Sequence, residues 1–293
     1  MNFGDYIMTR YERISSTAPS LQGPLHCLFF AKSIHLGIPL ASRSNCPMTP
    51  DDEMFQFLMK FFRKGEIENP KFFHRLKEPE LRGKHVLEFG CGTGSLAVYM
   101  VEKLGAEKVV AVDIERTNIA FARANLKANF PELIGRLEYW DCSVDQIPGQ
   151  EEFDFVVSKD CFEHVIPFED CLRQLVRLLK QGGALLAGWG PLYYSARGGH
   201  ALSHVPYDHL LLPDAVLVRR FNRQTGKNCK TVWECGLNKF HLTDYLKIIH
   251  KFPLHKDFVK INAGCLSRFR YLGRLWGVSL TWEISLSTMY ICG

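Results

Sequence analysis

The chain has 293 residues, enough for one large α/β domain or for one domain with a substantial elaboration, and its 46% hydrophobic share supplies a real core. Lysine and arginine number 36 against 31 aspartates and glutamates, and the resulting +5 falls far short of the basic stripe of a dedicated nucleic-acid binder. Ten cysteines are spread over the full length with no Cys-x-x-Cys pair, which argues against a disulfide framework and for buried free thiols in a reducing compartment.

Residues 1 to about 80 read as a helical, aromatic-rich cap. The opening MNFGDYIMTRYER lacks the basic region and apolar core of a secretory signal, and runs such as Leu25 to Phe30 are too short to cross a bilayer, so a cytoplasmic location without a membrane span is expected. A helix is expected from Thr49, with Thr49 as N-cap, Pro50 in the first turn and Met54, Phe57, Leu58, Phe61 and Phe62 on its apolar face. From about Leu81 the pattern alternates between strand and helix. His85 to Phe89, Val109 to Asp113, Leu137 to Asp141, Phe153 to Ser158 and Ala184 to Trp189 read as strands. Helices are expected after the first strand, over Asn118 to Asn129, and from Phe168 to a stop at Gly182-Gly183. Such alternation predicts a doubly wound α/β domain over 81–293. Gly190 to Lys239 is too long for an ordinary connection, so a lid-like insertion over about 190–240 is expected, followed by a helix from His241 to Phe252 and strands at Asp257 to Ile261 and Ser285 to Cys292.

The stretch Val86-Leu87-Glu88-Phe89-Gly90-Cys91-Gly92-Thr93-Gly94 leaves a strand and opens a helix, whose unpaired N–H groups suit an anionic or polar ligand. Asp113, at the end of the second strand, suits a ribose diol. A nicotinamide dehydrogenase is disfavoured because Ser95 stands where GxGxxG needs its third glycine, and because Glu88 precedes the loop. The pattern resembles the first motif of the class I, Rossmann-like S-adenosylmethionine-dependent methyltransferases. That resemblance continues in order through Gly105 to Ile114, Asp141 to Val144, Phe153 to Asp160 and Leu178 to Leu186. It implies a seven-stranded sheet of order 3-2-1-4-5-7-6 with the last strand antiparallel. It also implies a cofactor site for S-adenosylmethionine made of Glu88, Gly90, Cys91, Gly92, Gly94, Asp113, Ile114, Asp141, Cys142 and Lys159. Three structural alternatives stay open: Glu88 as a tie for the loop backbone, Cys91 as a small filler, and Asp113 as a helix N-cap.

Methyl transfer from a sulfonium chiefly needs alignment and exclusion of water, with a base only where the acceptor must lose a proton. Asp160, Glu163 and His164, just past the fourth strand, are the candidate catalytic residues. Ubiquinone-type O-methyltransferases carry similar residue types there as a divalent-metal site, against the plainer reading of a packed His164; no resident metal is expected. Tyr193, Tyr194 and His200 are candidate substrate contacts, and a zinc site from His200, His204 and His209 would need a spacing that is not a recognised one. The Asn- or Asp-Pro-Pro-aromatic motif of amino-methylating nucleic-acid enzymes is missing from Ser158-Lys159-Asp160-Cys161, so a small-molecule acceptor is expected, O-methylation ahead of N- or C-. A catalytically silent S-adenosylmethionine-binding regulator is the alternative.

Overall fold

A computed structural model describes residues 48–262 and 281–288. The helical expectation for residues 1–47 lies outside the described residues. Seven strands form one sheet: β1 (His85–Phe89), β2 (Lys108–Asp113), β3 (Leu137–Asp141), β4 (Phe153–Lys159), β5 (Leu179–Trp189), β6 (Leu254–Asn262) and β7 (Thr281–Thr288). The order is β3-β2-β1-β4-β5-β7-β6, with β7 antiparallel to both neighbours, as the resemblance implied. The helices are α1 (Glu53–Arg75), α2 (Ser95–Glu102), α3 (Arg116–Asn129), α4 (Phe168–Leu178), α5 (Asp208–Leu211), α6 (Asp214–Thr225) and α7 (Leu242–Ile249).

Strands covered on both faces must be apolar on both, and the period of two then splits each between two cores. Leu87, Phe89, Val110 and Val112 join Leu172 and Leu175 of α4 and Tyr245 of α7 on one face. Val86, Val109 and Ala111 join Phe55, Phe62, Leu96, Ala97 and Phe121 from α1, α2 and α3 on the other.

Helix α1 starts later than its sequence suggested. Thr49 donates both its N–H (2.6 Å) and its hydroxyl (3.1 Å) to Asp52 Oδ2, making a turn, and Asp52 becomes the N-cap residue. Its buried face is also rotated: Phe55, Leu58, Phe62, Gly65, Asn69, Phe72 and Phe73 go inside, while Phe57 and Phe61 are half-buried and meet edge to face. A Cβ at Gly65 would overlap the Ser95 hydroxyl, so this glycine lets α1 lie directly on the start of α2.

Three strand expectations are corrected. Helix α4 ends at Leu178, and Gly182-Gly183 belong to β5 rather than to a helix stop. There Phe153 pairs with Leu179 but Phe155 with Ala184, so residues 180–183 bulge out of the ladder. The Thr288 hydroxyl donates to the carbonyls of Lys180 (2.9 Å) and Gly183 (3.3 Å), and Asp154 accepts from Lys180 Nζ (3.1 Å) and the His85 N–H (2.9 Å), which pins the bulge. Strand β7 runs four residues earlier than expected at its start, because the register against β5 draws its partners from Trp282 to Ser287; residues 289–292 lie outside the described residues. Strand β6 extends beyond its expected span to Leu254 and Asn262.

The connection from β5 to α7 contains a 3₁₀ turn (His200–Leu202), α5 and α6. It buries its own cluster of Tyr193, Leu202, Leu217, Val218, Phe221, Val232, Cys235 and Leu237. The six described cysteines are free thiols. Among the described residues no helix is long and apolar enough to cross a membrane.

Candidate active site

At the carboxyl end of β1 the chain turns through Gly90, Gly92 and Gly94 at φ of 74°, 53° and 77°, values that glycine adopts without a Cβ penalty. The N–H groups of Gly90 and Cys91 both reach the Val112 carbonyl of β2, at 2.9 and 3.0 Å. A Cβ at Gly90 would overlap Cys161, and one at Gly94 would overlap the Tyr139 ring, whose hydroxyl donates to the Gly94 carbonyl at 2.9 Å. Close packing against protein is therefore part of why these glycines are glycines. Tyr139 and Cys161 are loop supports that the sequence reading missed; burial raises the Tyr139 phenol pKa well above its ordinary value.

Asp113 Oδ2 accepts the Gly92 N–H at 2.7 Å and Oδ1 accepts the Glu115 N–H at 2.8 Å, so the carboxylate is aimed at the loop. Asp141 lies beside it in register on β3 and forms an ion pair with Arg116, Nε to Oδ2 at 3.1 Å. Cys142 follows, half-buried, its thiol pKa raised by burial and by the Asp141 charge. Glu88 is fully buried on β1 between Ala111 and Val157 of the neighbouring strands. Ile114 packs half-buried against the core, and buried Cys91 directs its sulfur to the Gly92 carbonyl at 3.7 Å. Lys159 closes the group: its Nζ donates to Asn69 Oδ1 at 3.0 Å, and Asn69 Nδ2 donates to the Ser95 hydroxyl at 3.4 Å. That chain ties the end of β4 to α1 and to the first residue of α2.

Asp160 is exposed, at φ 51°, its N–H on the Gly188 carbonyl at 2.7 Å. The 3₁₀ turn Phe162–His164 then buries Glu163 and His164 to 3% and 1% exposure. Glu163 Oε1 accepts the Gly190 N–H at 3.1 Å. His164 Nδ1 donates to the Gly236 carbonyl at 2.7 Å, and its Nε2 lies 3.8 Å from Glu163 Oε1. The Asn238 amide holds the same turn, donating to the carbonyls of Phe162 (2.8 Å) and Val165 (3.3 Å) and accepting from the Tyr245 hydroxyl (3.0 Å). Phe162 packs against Phe89, Phe168 and Trp189 beneath it.

Of the three substrate candidates in the connection, only His200 meets this turn: its ring centre is 4.8 Å from that of His164, and its Nε2 donates to the Pro191 carbonyl at 2.7 Å. Tyr193 is buried in the connection's own cluster, and Tyr194 stacks on His241 at 3.7 Å. His200, His204 and His209 do not converge; His204 is exposed, and His209 Nε2 donates to the Tyr193 carbonyl at 2.6 Å. The group that does converge is Glu163, His164 and His200. A separate cleft of about 830 Å³, lined by Phe73, Arg75, Leu81, Tyr99 and Lys103 among others, lies at the opposite end of the strands.

Residues 86–183 match the family model described as a methyltransferase domain. Over 107 residues the chain is 38% identical to the mitochondrial ubiquinone biosynthesis O-methyltransferase of Homo sapiens, covering 36% of this chain and 28% of that protein. Over 99 residues it is 37% identical to the ribosomal protein L11 methyltransferase of Thermotoga maritima, covering 33% and 35%. The chain thus spans about a third of the length of these curated relatives, whose names state quite different acceptors. An S-adenosylmethionine-dependent methyltransferase from Mesorhizobium loti shares the fold, with a TM-score of 0.51 at 17% identity over 74% of this chain and 96% of that one.

Proposed function

Since the chain carries a class I S-adenosylmethionine-dependent methyltransferase domain, we propose that it moves the methyl group of S-adenosylmethionine to a small-molecule acceptor, at oxygen ahead of nitrogen or carbon. The observation that carries this reading is the left-handed glycine loop at the end of β1 with the Asp113 carboxylate fastened to its Gly92 N–H at 2.7 Å. The donor set fits the cofactor. Asp113 offers a carboxylate to a ribose diol, Asp141 and Cys142 stand where an adenine would follow, and the loop and Glu88 lie toward its amino-acid end.

The sulfonium supplies a good leaving group when bound, so the protein's work is orientation and exclusion of water. Lys159, held by Asn69, fixes the end of β4 beside the loop. With Nδ1–H on the Gly236 carbonyl, neutral His164 presents its basic lone pair at Nε2, and the Glu163 carboxylate 3.8 Å away stabilises the imidazolium formed when Nε2 takes the acceptor's proton. Asp160 offers a second carboxylate from the exposed side of the same segment. Residues 48–80 of the cap and the connection over about 190–240 enclose the acceptor in this reading, and the location is cytoplasmic.

The test is transfer of labelled methyl from S-adenosylmethionine to a panel of phenols, catechols and amines, beside calorimetry with S-adenosylhomocysteine and with NAD. Affinity for S-adenosylhomocysteine alone, with transfer to a hydroxyl acceptor that falls in His164→Ala, supports the proposal. The near-complete burial of Glu163 and His164 favours a second reading, a cofactor-binding regulator without turnover. Tight S-adenosylhomocysteine binding with no transfer across the panel would establish that reading instead.

A further inference from the structure

We propose that Glu163, His164 and His200 form a binding site for one divalent transition-metal ion of the zinc type, joining the turn after β4 to the connection after β5. The site goes beyond methyl transfer and is readable without turnover. One donor atom from each residue lies within 4.8 Å of the other two, and all three residues are buried. A metal bound at about 2.0–2.1 Å from each donor draws them closer by rotation of the rings and the carboxylate.

Each ring is oriented by a backbone carbonyl. A backbone carbonyl can only accept, so His164 must carry its proton on Nδ1 toward Gly236, and His200 its proton on Nε2 toward Pro191. In the neutral rings, the form that binds a metal, the lone pairs are at Nε2 of His164 and Nδ1 of His200. Histidines that bind metals are held in this way, with the other nitrogen donating to a carbonyl or a carboxylate. The Gly190 N–H at 3.1 Å holds Glu163 Oε1 in the same manner.

The backbone also pays for this meeting. His200 sits at φ 47°, a left-handed conformation uncommon for a residue with a Cβ. Gly198 and Gly199 make its turn possible: a Cβ at the first would overlap the Leu192 and Tyr193 carbonyls, and one at the second would come within 2.7 Å of the His209 ring. A strained backbone that delivers an imidazole to a buried carboxylate and a second imidazole marks a functional site. A cation offsets the cost of burying that carboxylate.

Two nitrogens and one oxygen select for zinc, cobalt or ferrous ions over magnesium. Asp160 is exposed and outside the convergent group, which separates this site from the Asp160, Glu163 and His164 arrangement, since His200 takes the place of Asp160. In the metal-bound protein Nε2 of His164 is a ligand, and proton acceptance at that atom belongs to the metal-free form.

The full chain, stripped with a chelator, is titrated with Zn²⁺ by calorimetry and with Co²⁺ by visible absorption. One equivalent of each is expected to bind, with magnesium in excess failing to compete. His200→Ala and Glu163→Gln should each weaken Zn²⁺ about 100-fold or more, while Asp160→Ala leaves it unchanged. S-adenosylhomocysteine affinity, measured on every variant, reports whether the fold and cofactor site survive, so loss of the metal is separable from failure of the methyl-transfer reading. The wild-type Co²⁺ spectrum needs no variant to fold. Absence of stoichiometric binding, retention of it in His200→Ala, loss of it in Asp160→Ala, or a thiolate charge-transfer band that places the metal on cysteine would each overturn the proposal.

Discussion

Replacing Gly90 by alanine tests whether the loop is shaped by the protein around it or only by its ligand. Two penalties apply. At φ 74° an L-residue is strained by about 1–2 kcal/mol. The new Cβ also overlaps Cys161, and overpacking of a tight interior costs about 1–3 kcal/mol. Gly90→Ala should therefore destabilise by roughly 2–5 kcal/mol, read as a lower urea midpoint at unchanged slope. Cys161→Ala removes the overlapping sulfur, and the double variant should regain most of the packing share while keeping the backbone share. The coupling energy should thus be favourable by about 1–2 kcal/mol, within the range for residues in contact. S-adenosylhomocysteine affinity, measured in parallel, should recover in the double variant in proportion. Additive single effects would refute the reasoning. So would a Gly90→Ala protein of wild-type stability that has lost only its affinity, because the glycine would then serve ligand approach alone.

Asp113→Asn should weaken S-adenosylhomocysteine about 10- to 100-fold by calorimetry, since the charge on a bonded acceptor is worth about 1.5–3 kcal/mol. Asn69→Ala cuts the link from Lys159 to Ser95 and should loosen α1, seen as faster proteolysis within 53–75 and a loss of about 1–3 kcal/mol. Asn238→Ala removes the amide bonds to the Phe162 and Val165 carbonyls and the acceptor of the Tyr245 hydroxyl, which keeps only its longer contact to the Phe162 carbonyl at 3.4 Å; a cost of about 1–3 kcal/mol in urea melts is expected, with transfer activity falling as well. Asp154 is the pH-sensitive case. Burial tends to raise its carboxyl pKa, but the His85 N–H and the Lys180 ammonium outweigh this and hold it below its ordinary value. A depressed folded-state pKa gives stability that is present above the unfolded value of about 3.9 and is lost as pH falls through the folded one. The gap between wild type and Asp154→Asn should accordingly be full at neutral pH and close in acid, and a gap that widens in acid would contradict the assignment.

The sheet was legible because buried parallel strands are written as short apolar runs between glycine turns. β1 and β3 fall on the residues their composition indicates, and α3 differs from its expected span only at its start. The misreadings have local causes. Gly182-Gly183 signals a helix stop and a strand bulge equally well, and only the pairing of Phe155 with Ala184 decides between them. The face of α1 was misjudged because alternate phenylalanines in Phe55, Phe57, Phe61 and Phe62 fit two rotations of one helix, and Gly65 against Ser95 selects one. In the site, the residues on strand ends were visible and their supports were not. Tyr139 reaches Gly94 across β2, and His200 reaches His164 from another element, neither of which leaves a periodic trace. The Gly198-Gly199 pair before His200 was the one available signal, and it indicated a sharp turn without saying what the turn delivered.

The turn at Phe162–His164 fastens both ends of the connection at one place. Glu163 and His200 hold its departure at Gly190 and Pro191, while His164 and the Glu163 carbonyl hold its return at Gly236 and Asn238. Mechanically this is a loop closed at its neck, with an apolar interior of its own. A segment so closed behaves as a cassette. Exchange of residues 201–235 for a foreign stretch of the same end-to-end span should leave the sheet intact provided Gly190, Pro191, His200, Gly236 and Asn238 remain, so acceptor preference could be rewritten without rebuilding the cofactor's seat.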